Sequence, residues 1–262
     1  MNPKILLYRP QITPLFIKVF KRNFLVFLKN WKSSLMFNFL EPLLYLAALG
    51  FGLGLYIEDI EGLTYLQFIA PGLVVSSAMW STSFESTYGT FTRMKLNRIF
   101  HAMIATPLSL DEVVAGEILY GAFKSVLYGT VFLLVISLLR LTASPWVLFT
   151  IPVLFFIGII FSELGMIWTS ISPNFDSFAY FFTLIITPMF LFSGIFFPLK
   201  TMPLWVQVIA WFTPLFHAVQ LSRNLALGEL SAVLWAHFLI LILFALVLAV
   251  PPLALMQKRL IK

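Results

Sequence analysis

The chain has 262 residues, 60% of them hydrophobic and only 11% charged, with a mean hydropathy of +0.96. This composition excludes a soluble globular domain and marks a polytopic, all-α integral membrane protein. The absence of cysteine excludes a disulfide framework and any thiolate metal site. The net charge of +6 comes from residues flanking apolar segments, so it fits an anionic leaflet better than nucleic acid. The first residues hold charges without a compact apolar core or small-residue cleavage site, so no cleavable signal is expected.

Thr13 to Lys32 reads as an amphipathic helix. Stepped at about 100° per residue, Lys18, Lys21, Arg22, Lys29 and Lys32 gather on one side. Leu15, Phe16, Val19, Phe20, Phe27, Leu28 and Trp31 take the other, with Leu25 the exception. Such a helix lies in the membrane interface with its apolar face among the acyl chains. Ser33 to Ile57 is long enough for a first span; it contains Glu41-Pro42, and Gly50, Gly52 and Gly54 give a small-residue face for close packing. The acidic loop Glu58-Asp59-Ile60-Glu61 reads as external, and Leu63 to Phe91 returns inward with a kink expected at Pro71-Gly72.

Next comes Arg93 to Pro107, where Arg93, Lys95 and Arg98 alternate with Met94, Leu96, Ile99 and Phe100. The pattern fits a short helix along the membrane surface, or a solvated connector obeying the positive-inside rule. Gly116 to Leu139 and Trp146 to Ile171 are the third and fourth spans, Ser177 to Phe192 the fifth, and Leu230 to Met256 the sixth. Lys4, Arg9, the five basic residues of the first helix, Arg93, Lys95, Arg98, Lys258, Arg259 and Lys262 fall inside on this reading. Only Arg140, Lys200 and Arg223 fall outside. Both termini are therefore expected in the cytoplasm. The chain divides into an interfacial helix at 1–32, a six-span core at 33–256 and a cytoplasmic tail at 257–262, all one transmembrane domain.

Glu85, Lys124 and Glu163 lie within spans, where an unpaired charge costs roughly 2.5–3.5 kcal/mol. Lys124 and Glu163 stand equally far from the inner ends of adjacent spans, so a Lys124–Glu163 pair is expected. His217 and His237 have no ligand-type residue at metal spacing in the sequence and read as packing or interfacial residues, as does the isolated His101.

Phe190 to Arg223 is the stretch around which the rest is arranged. It is apolar, yet Pro198, Pro203 and Pro214 interrupt it and Gly194 permits a turn. Leu204 to Phe212 is too short to cross roughly 30 Å of hydrocarbon. An external re-entrant gate, entered at Gly194 and left near Arg223, is expected.

Ser193-Gly194, Pro198, Pro203, Pro214-Leu215-Phe216-His217 and Arg223 together resemble the signature of ABC type-2 exporter permeases. Glu85-Ser86-Thr87-Tyr88-Gly89-Thr90-Phe91-Thr92-Arg93, Ala105-Thr106-Pro107-Leu108-Ser109 and Gly116-Glu117 extend the likeness, which is greatest to nodulation-type lipooligosaccharide (NodJ-like) and polysaccharide export permeases. The resemblance implies a permease subunit of the bacterial cytoplasmic membrane, working as a dimer with two copies of a separate cytoplasmic ATPase. ATP and Mg would then sit on that partner, with no cofactor on this chain. The implied cargo is a lipid-linked or lipo-oligosaccharide, with drugs or other amphiphiles the nearest alternative. The Arg93–Pro107 element would seat in the ATPase, with Ile99 and Phe100 as anchors, Arg93 and Arg98 setting orientation, and Pro107 ending the element. The interface helix would be a second contact.

No GxxxxGK[ST] phosphate loop is present, and no glycine precedes any lysine, so the chain is not its own ATPase by that mechanism. A membrane-embedded enzyme acting on lipid-linked substrates is a competing class, but clustered acids or histidines at one interface are lacking. The absence of an internal repeat weighs against a secondary transporter built on inverted repeats.

Overall fold

The structure, a computed structural model, describes residues 8, 10–52, 54, 56–57, 59–60 and 62–261, with the backbone alone at 33–35, 37–39, 41–42 and 51. Lys4, Arg9, Glu58, Glu61 and Lys262 lie outside the described residues, and so do the side chains of Glu41 and Pro42. Among those described, every regular element is helical, and the β-type pairing is an isolated bridge between Ile60 and Leu63.

Helix α1 (Phe16–Ala47) is two helical stretches that meet at a kink at Asn30, whose φ of −122° and ψ of 15° leave the helical region. The kink falls close to the expected boundary between the interface helix and the first span, and the two are joined there without a loop. Its apolar stripe is also divided. Val19 and Phe27 are buried, while Leu28 and Trp31 stay exposed. The buried part meets α4, where Phe20, Phe24 and Phe27 close around Phe123.

Helix α2 (Tyr65–Phe84) starts at a reciprocal cap: Thr64 Oγ1 accepts the Gln67 amide at 3.4 Å, and Gln67 Oε1 accepts the Thr64 amide at 3.1 Å. Its helical course continues through two π-turns, Glu85–Gly89 and Thr92–Leu96, before Arg98 reverses the chain at a φ of +51°. The short α3 (Ile99–Ile104) then leads to α4 (Leu110–Leu138). Ser109-x-x-Glu112 caps α4, with Glu112 Oε2 accepting the Ser109 amide at 2.8 Å and Ser109 Oγ accepting that of Glu112 at 3.2 Å. Six residues assigned to the loop therefore belong to the helix.

A single 3₁₀ turn at Pro145–Phe149 opens α5 (Thr150–Ile171). The apolar 177–192 segment is α6 (Ser177–Phe181), a π-turn, and α7 (Thr187–Phe192). Helices α8 (Leu204–Trp211), α9 (Pro214–Leu227), α10 (Val233–Leu248) and α11 (Val250–Leu260) complete the chain. Among the described residues, three helical stretches are long and apolar enough to cross a membrane: 110–138, 145–171 and 233–260. A fourth results if α8 and α9, bent by 90°, count together.

Helix α4 is the central post, touching α1, α2 and α5. Small residues let it come close. A Cβ at Gly158 of α5 would fall 2.5 Å from the Ala122 Cα, and one at Gly121 of α4 would fall 1.9 Å from Ser162 Oγ. Gly50 likewise admits Leu66, but Gly52 faces open space, so the expected glycine stripe packs through Gly50. Helix α10 buries Leu241 and Ala245 and leaves Trp235, Leu239, Leu243 and Leu246 outward, as a helix against lipid does.

Gly158→Ala should cost about 1–3 kcal/mol through overpacking against Ala122 and Ser125. Thermal unfolding in detergent checks it; an unchanged midpoint would mean that α4 and α5 have slack at this crossing.

Candidate functional site

The interrupted stretch is built as its prolines require. Each stands where a backbone N–H is dispensable: Pro198 before the 3₁₀ turn Leu199–Thr201, Pro203 before α8, and Pro214 at the first turn of α9. Gly194 has a φ of +80°, and Ser193–Phe197 carries no helix. The freed carbonyls are met by Arg223. Its Nη2 donates to the Gly194 and Ile195 carbonyls at 2.8 and 3.4 Å, its Nε donates to the Phe68 carbonyl of α2 at 3.1 Å, and the guanidinium lies 3.8 Å from the Phe68 ring centre. Arg223 is 7% exposed and therefore acts as an internal brace of the interrupted stretch, not as a surface charge.

His217 is fully buried, with Nε2 2.7 Å from the Trp211 carbonyl and Nδ1 2.7 Å from His237 Nδ1. A carbonyl only accepts, so Nε2 carries the proton, and neutral His217 accepts the His237 N–H. This pins the α8–α9 corner and α10 together. Read along the sequence, neither histidine has a partner; packing of α9 on α10 supplies one. The whole stretch lies at the opposite end of α2 from the 93–107 loop, since its brace reaches Phe68 near the start of that helix.

At the loop end is a chain of charges. Glu85 receives Arg93 Nη1 at 2.6 Å on one oxygen and Lys124 Nζ at 2.5 Å on the other. Arg93 also reaches Glu117 through Nη2 at 2.5 Å and Nε at 3.1 Å. Glu117 further accepts Asn23 Nδ2 of α1 at 2.9 Å. The expected Lys124–Glu163 pair is therefore corrected. Because α4 begins at Leu110, Lys124 lies fourteen residues, roughly 21 Å, along it, which removes the supposed match in depth. Its face is wrong as well: Ala122, Ser125 and Gly129 meet α5, whereas Lys124 looks toward Phe27 and Tyr120. Glu163 is 3% exposed, and its Oε2 has no hydrogen-bond partner among the described residues.

The loop itself differs from a surface helix. Phe100 is fully buried with Met94, Met103, Val113 and Phe178, so it anchors the loop to this chain and not to a partner. Arg93 is held in the charge chain, and Ile99 is half-buried. Both Arg98 and Pro107 are exposed, and the outward surface is Leu96 (61% exposed), Asn97, Arg98, His101 and Ala102. Lys95 donates to the Pro173 carbonyl, tying the loop to the turn after α5. Nearby, Tyr8 donates to Asp111 at 2.6 Å, and Gln257 Nε2 donates to the same carboxylate at 3.2 Å, joining the N-terminal segment, α4 and α11. Burial, helped by the Asp111 carboxylate, pushes the Tyr8 phenol above its ordinary range.

Arg223→Gln should leave buried carbonyls of Phe68, Gly194 and Ile195 short of donors and cost about 3 kcal/mol or more. Arg223→Lys should recover little, because an ammonium lacks the planar fork. Melting curves of the two purified variants decide it, and a lysine variant as stable as the parent would reject the fork as the reason.

The model of the family described as ABC-2 type transporter matches residues 14–227. Nodulation protein J of Rhizobium leguminosarum bv. viciae is 35% identical over 94% of this chain and 95% of its own length. Nodulation protein J of Sinorhizobium fredii is 35% identical over 94% of each. The inner membrane transport permease YadH of Escherichia coli is 24% identical over 83% of this chain and 85% of its own. The match covers the charge chain, the loop and the interrupted stretch alike, and this chain belongs to the ABC-2 type transporter family.

Proposed function

We propose that the chain is the permease subunit of an ATP-driven exporter in the bacterial inner membrane, moving a lipid-linked or lipo-oligosaccharide outward. The observation that carries this is its likeness to Nodulation protein J along nearly the whole of both chains. Two copies of a separate ATPase supply the energy, and a second copy of this chain completes the passage. In this reading the chain is one transmembrane domain of six spans: α1, α2, α4, α5, the 177–192 segment and α10 with α11. An even number puts both termini on one side, the basic residues near both ends make that side the cytoplasmic one, and the interrupted stretch then lies outside.

The lack of a phosphate-binding loop supports an external energy source. The burial of Phe100 moves the docking surface outward to Leu96, Asn97, Arg98 and His101, the projecting tip of the loop. A few apolar anchors carry most of the binding at such contacts, and Leu96 is the one this tip exposes.

Purification of the chain from its native membrane should retain an ATPase, and Leu96→Asp with Arg98→Glu should reduce that retention at least tenfold without loss of membrane insertion. Unchanged retention would place the docking surface elsewhere, and no ATPase with the parent chain would reject the exporter reading. Export of a lipo-oligosaccharide should stop in the same variant; if only another amphiphile accumulates, the cargo assignment fails.

Orientation is tested separately. Cysteine at Asp59 or Lys200 should react with an impermeant reagent in intact cells, and cysteine at Asn97 should not. The reverse pattern would invert the topology.

A further inference from the structure

The stretch Glu85-Ser86-Thr87-Tyr88-Gly89-Thr90-Phe91-Thr92-Arg93 contributes to the family likeness, but neither the loop tip nor the interrupted segment gives it a role. Its geometry is specific. Glu85 and Arg93 are eight residues apart, about 12 Å along a helix, yet their side chains meet at 2.6 Å. They meet by lying along the helix surface over Gly89. A Cβ there would sit 2.6 Å from Glu85 Oε1 and 3.4 Å from Arg93 Nη1. Glycine leaves the slot in which the pair lies.

Across from this slot, α4 presents Lys124 and Glu117, seven residues apart and in the opposite order. Lys124 holds Glu85, and Glu117 holds Arg93. The result is a ladder of two acids and two bases with no net charge, joining the end of α2 to the central post. In a low-dielectric setting no member leaves its partner cheaply, so the ladder moves as a unit or not at all.

The backbone beneath it is not a plain α-helix. One π-turn begins at Glu85, and the other, Thr92–Leu96, contains Arg93. A π-turn holds an extra residue, so shifting it by one position rotates the residues it passes by roughly 100°. The second π-turn ends at Leu96, where the exposed tip begins, so no slack chain separates the tip from Arg93.

We propose that the Glu85–Gly89–Arg93 slot, with Lys124 and Glu117, is the joint that passes displacement of the loop tip into α4, with Arg93 as its positioning residue. The proposal rests on the reading of that tip as the ATPase-docking surface. A push on the tip moves Arg93, and Arg93 drags Glu117 and, through Glu85, Lys124.

The test uses the chain with its co-purifying ATPase in proteoliposomes, a radiolabelled lipo-oligosaccharide as cargo, and cargo moved per ATP hydrolysed as the readout. Glu85→Gln with Lys124→Gln removes one rung without leaving an unpaired charge and keeps Arg93 on Glu117. The variant should retain the ATPase, hydrolyse ATP within about twofold of the parent, and move at least tenfold less cargo per ATP. Gly89→Ala keeps all four charges but fills the slot; it should lower the same ratio, and it carries the test if the double variant fails to reach the membrane. Arg93→Lys, which keeps charge and loses the fork, should give an intermediate ratio. A merely structural ladder would lower hydrolysis and export together and leave the ratio unchanged. That outcome, with the ATPase retained, overturns the joint alone. A parent chain that retains no ATPase overturns the exporter reading and the joint with it.

Discussion

In hydrocarbon every carbonyl freed by a break in a helix must be given a donor by the protein itself, because no water is there to serve. This chain breaks its helices in several places, and each break has its own answer. Arg223 supplies the Gly194 and Ile195 carbonyls of the unwound segment. Ser222 Oγ adds a bond to the carbonyl of Pro71, inside α2, at 3.0 Å, which ties α9 to that helix, although the carbonyl that the proline itself frees is that of Gln67. In the π-turns the hydroxyls of Thr87, Thr90 and Thr92 bond back to Ser83, Glu85 and Tyr88 at 2.6, 3.2 and 2.7 Å. Within the hydroxyl-rich run from Ser81 to Thr92, these three threonines serve the irregular turns, whereas Ser81 Oγ and Ser83 Oγ are buried without a hydrogen-bond partner among the described residues.

Charge obeys the same constraint. Glu85, Arg93, Glu117 and Lys124 are admitted together because each has at least one opposite partner. Replacing one member alone strands another, whereas a matched pair can be removed with far less harm. Glu163 shows the contrast, buried on α5 with an oxygen that none of the described residues meets. Its place in the core is a different chemical situation from the ladder, although the sequence presents all these acids as similar intramembrane carboxylates.

What was legible followed from local chemistry. Prolines at 198, 203 and 214 mark helix starts, and Gly194 marks the turn, because each residue type has few other uses at such positions. Hydrophobic length located the long apolar helices at 110–138, 145–171 and 233–260. The start of α4 was misplaced because hydropathy fades over Asp111 and Glu112, although Ser109-x-x-Glu112 is a capping box written in the sequence. Pairings across helices were not legible. Depth alone pairs Lys124 with Glu163, while the actual partner depends on which way the side chain points around the helix. Phe100 looked like a surface anchor because alternation with Arg98 suggests an amphipathic helix. The left-handed turn at Arg98 instead folds Phe100 back among Met94 and Val113. His217 and His237 lie on neighbouring helices, and no spacing rule within one segment reveals such a pair.

Helix α2 is where these solutions meet. Near its start, Phe68 and Pro71 give their carbonyls to Arg223 and Ser222 of α9, and Gly72 lies against Ile195 of the unwound segment. Its continuation carries Glu85 and Arg93 into the ladder with α4 and then ends at the exposed tip. Between the two ends, Thr82 Oγ1 bonds the Gly121 carbonyl of α4 at 3.2 Å, and Thr169 Oγ1 of α5 bonds the Ser86 carbonyl at 2.9 Å. A displacement at one end of so tightly tied a helix is not absorbed by loose packing along the way. Interiors packed at this closeness switch between arrangements rather than stretch. The irregular turns sit near the tip, and the hydrogen-bonded brace sits at the interrupted stretch. If the loop tip is the docking surface proposed above, its movement would enter α2 at the irregular turns and meet the brace at the other end.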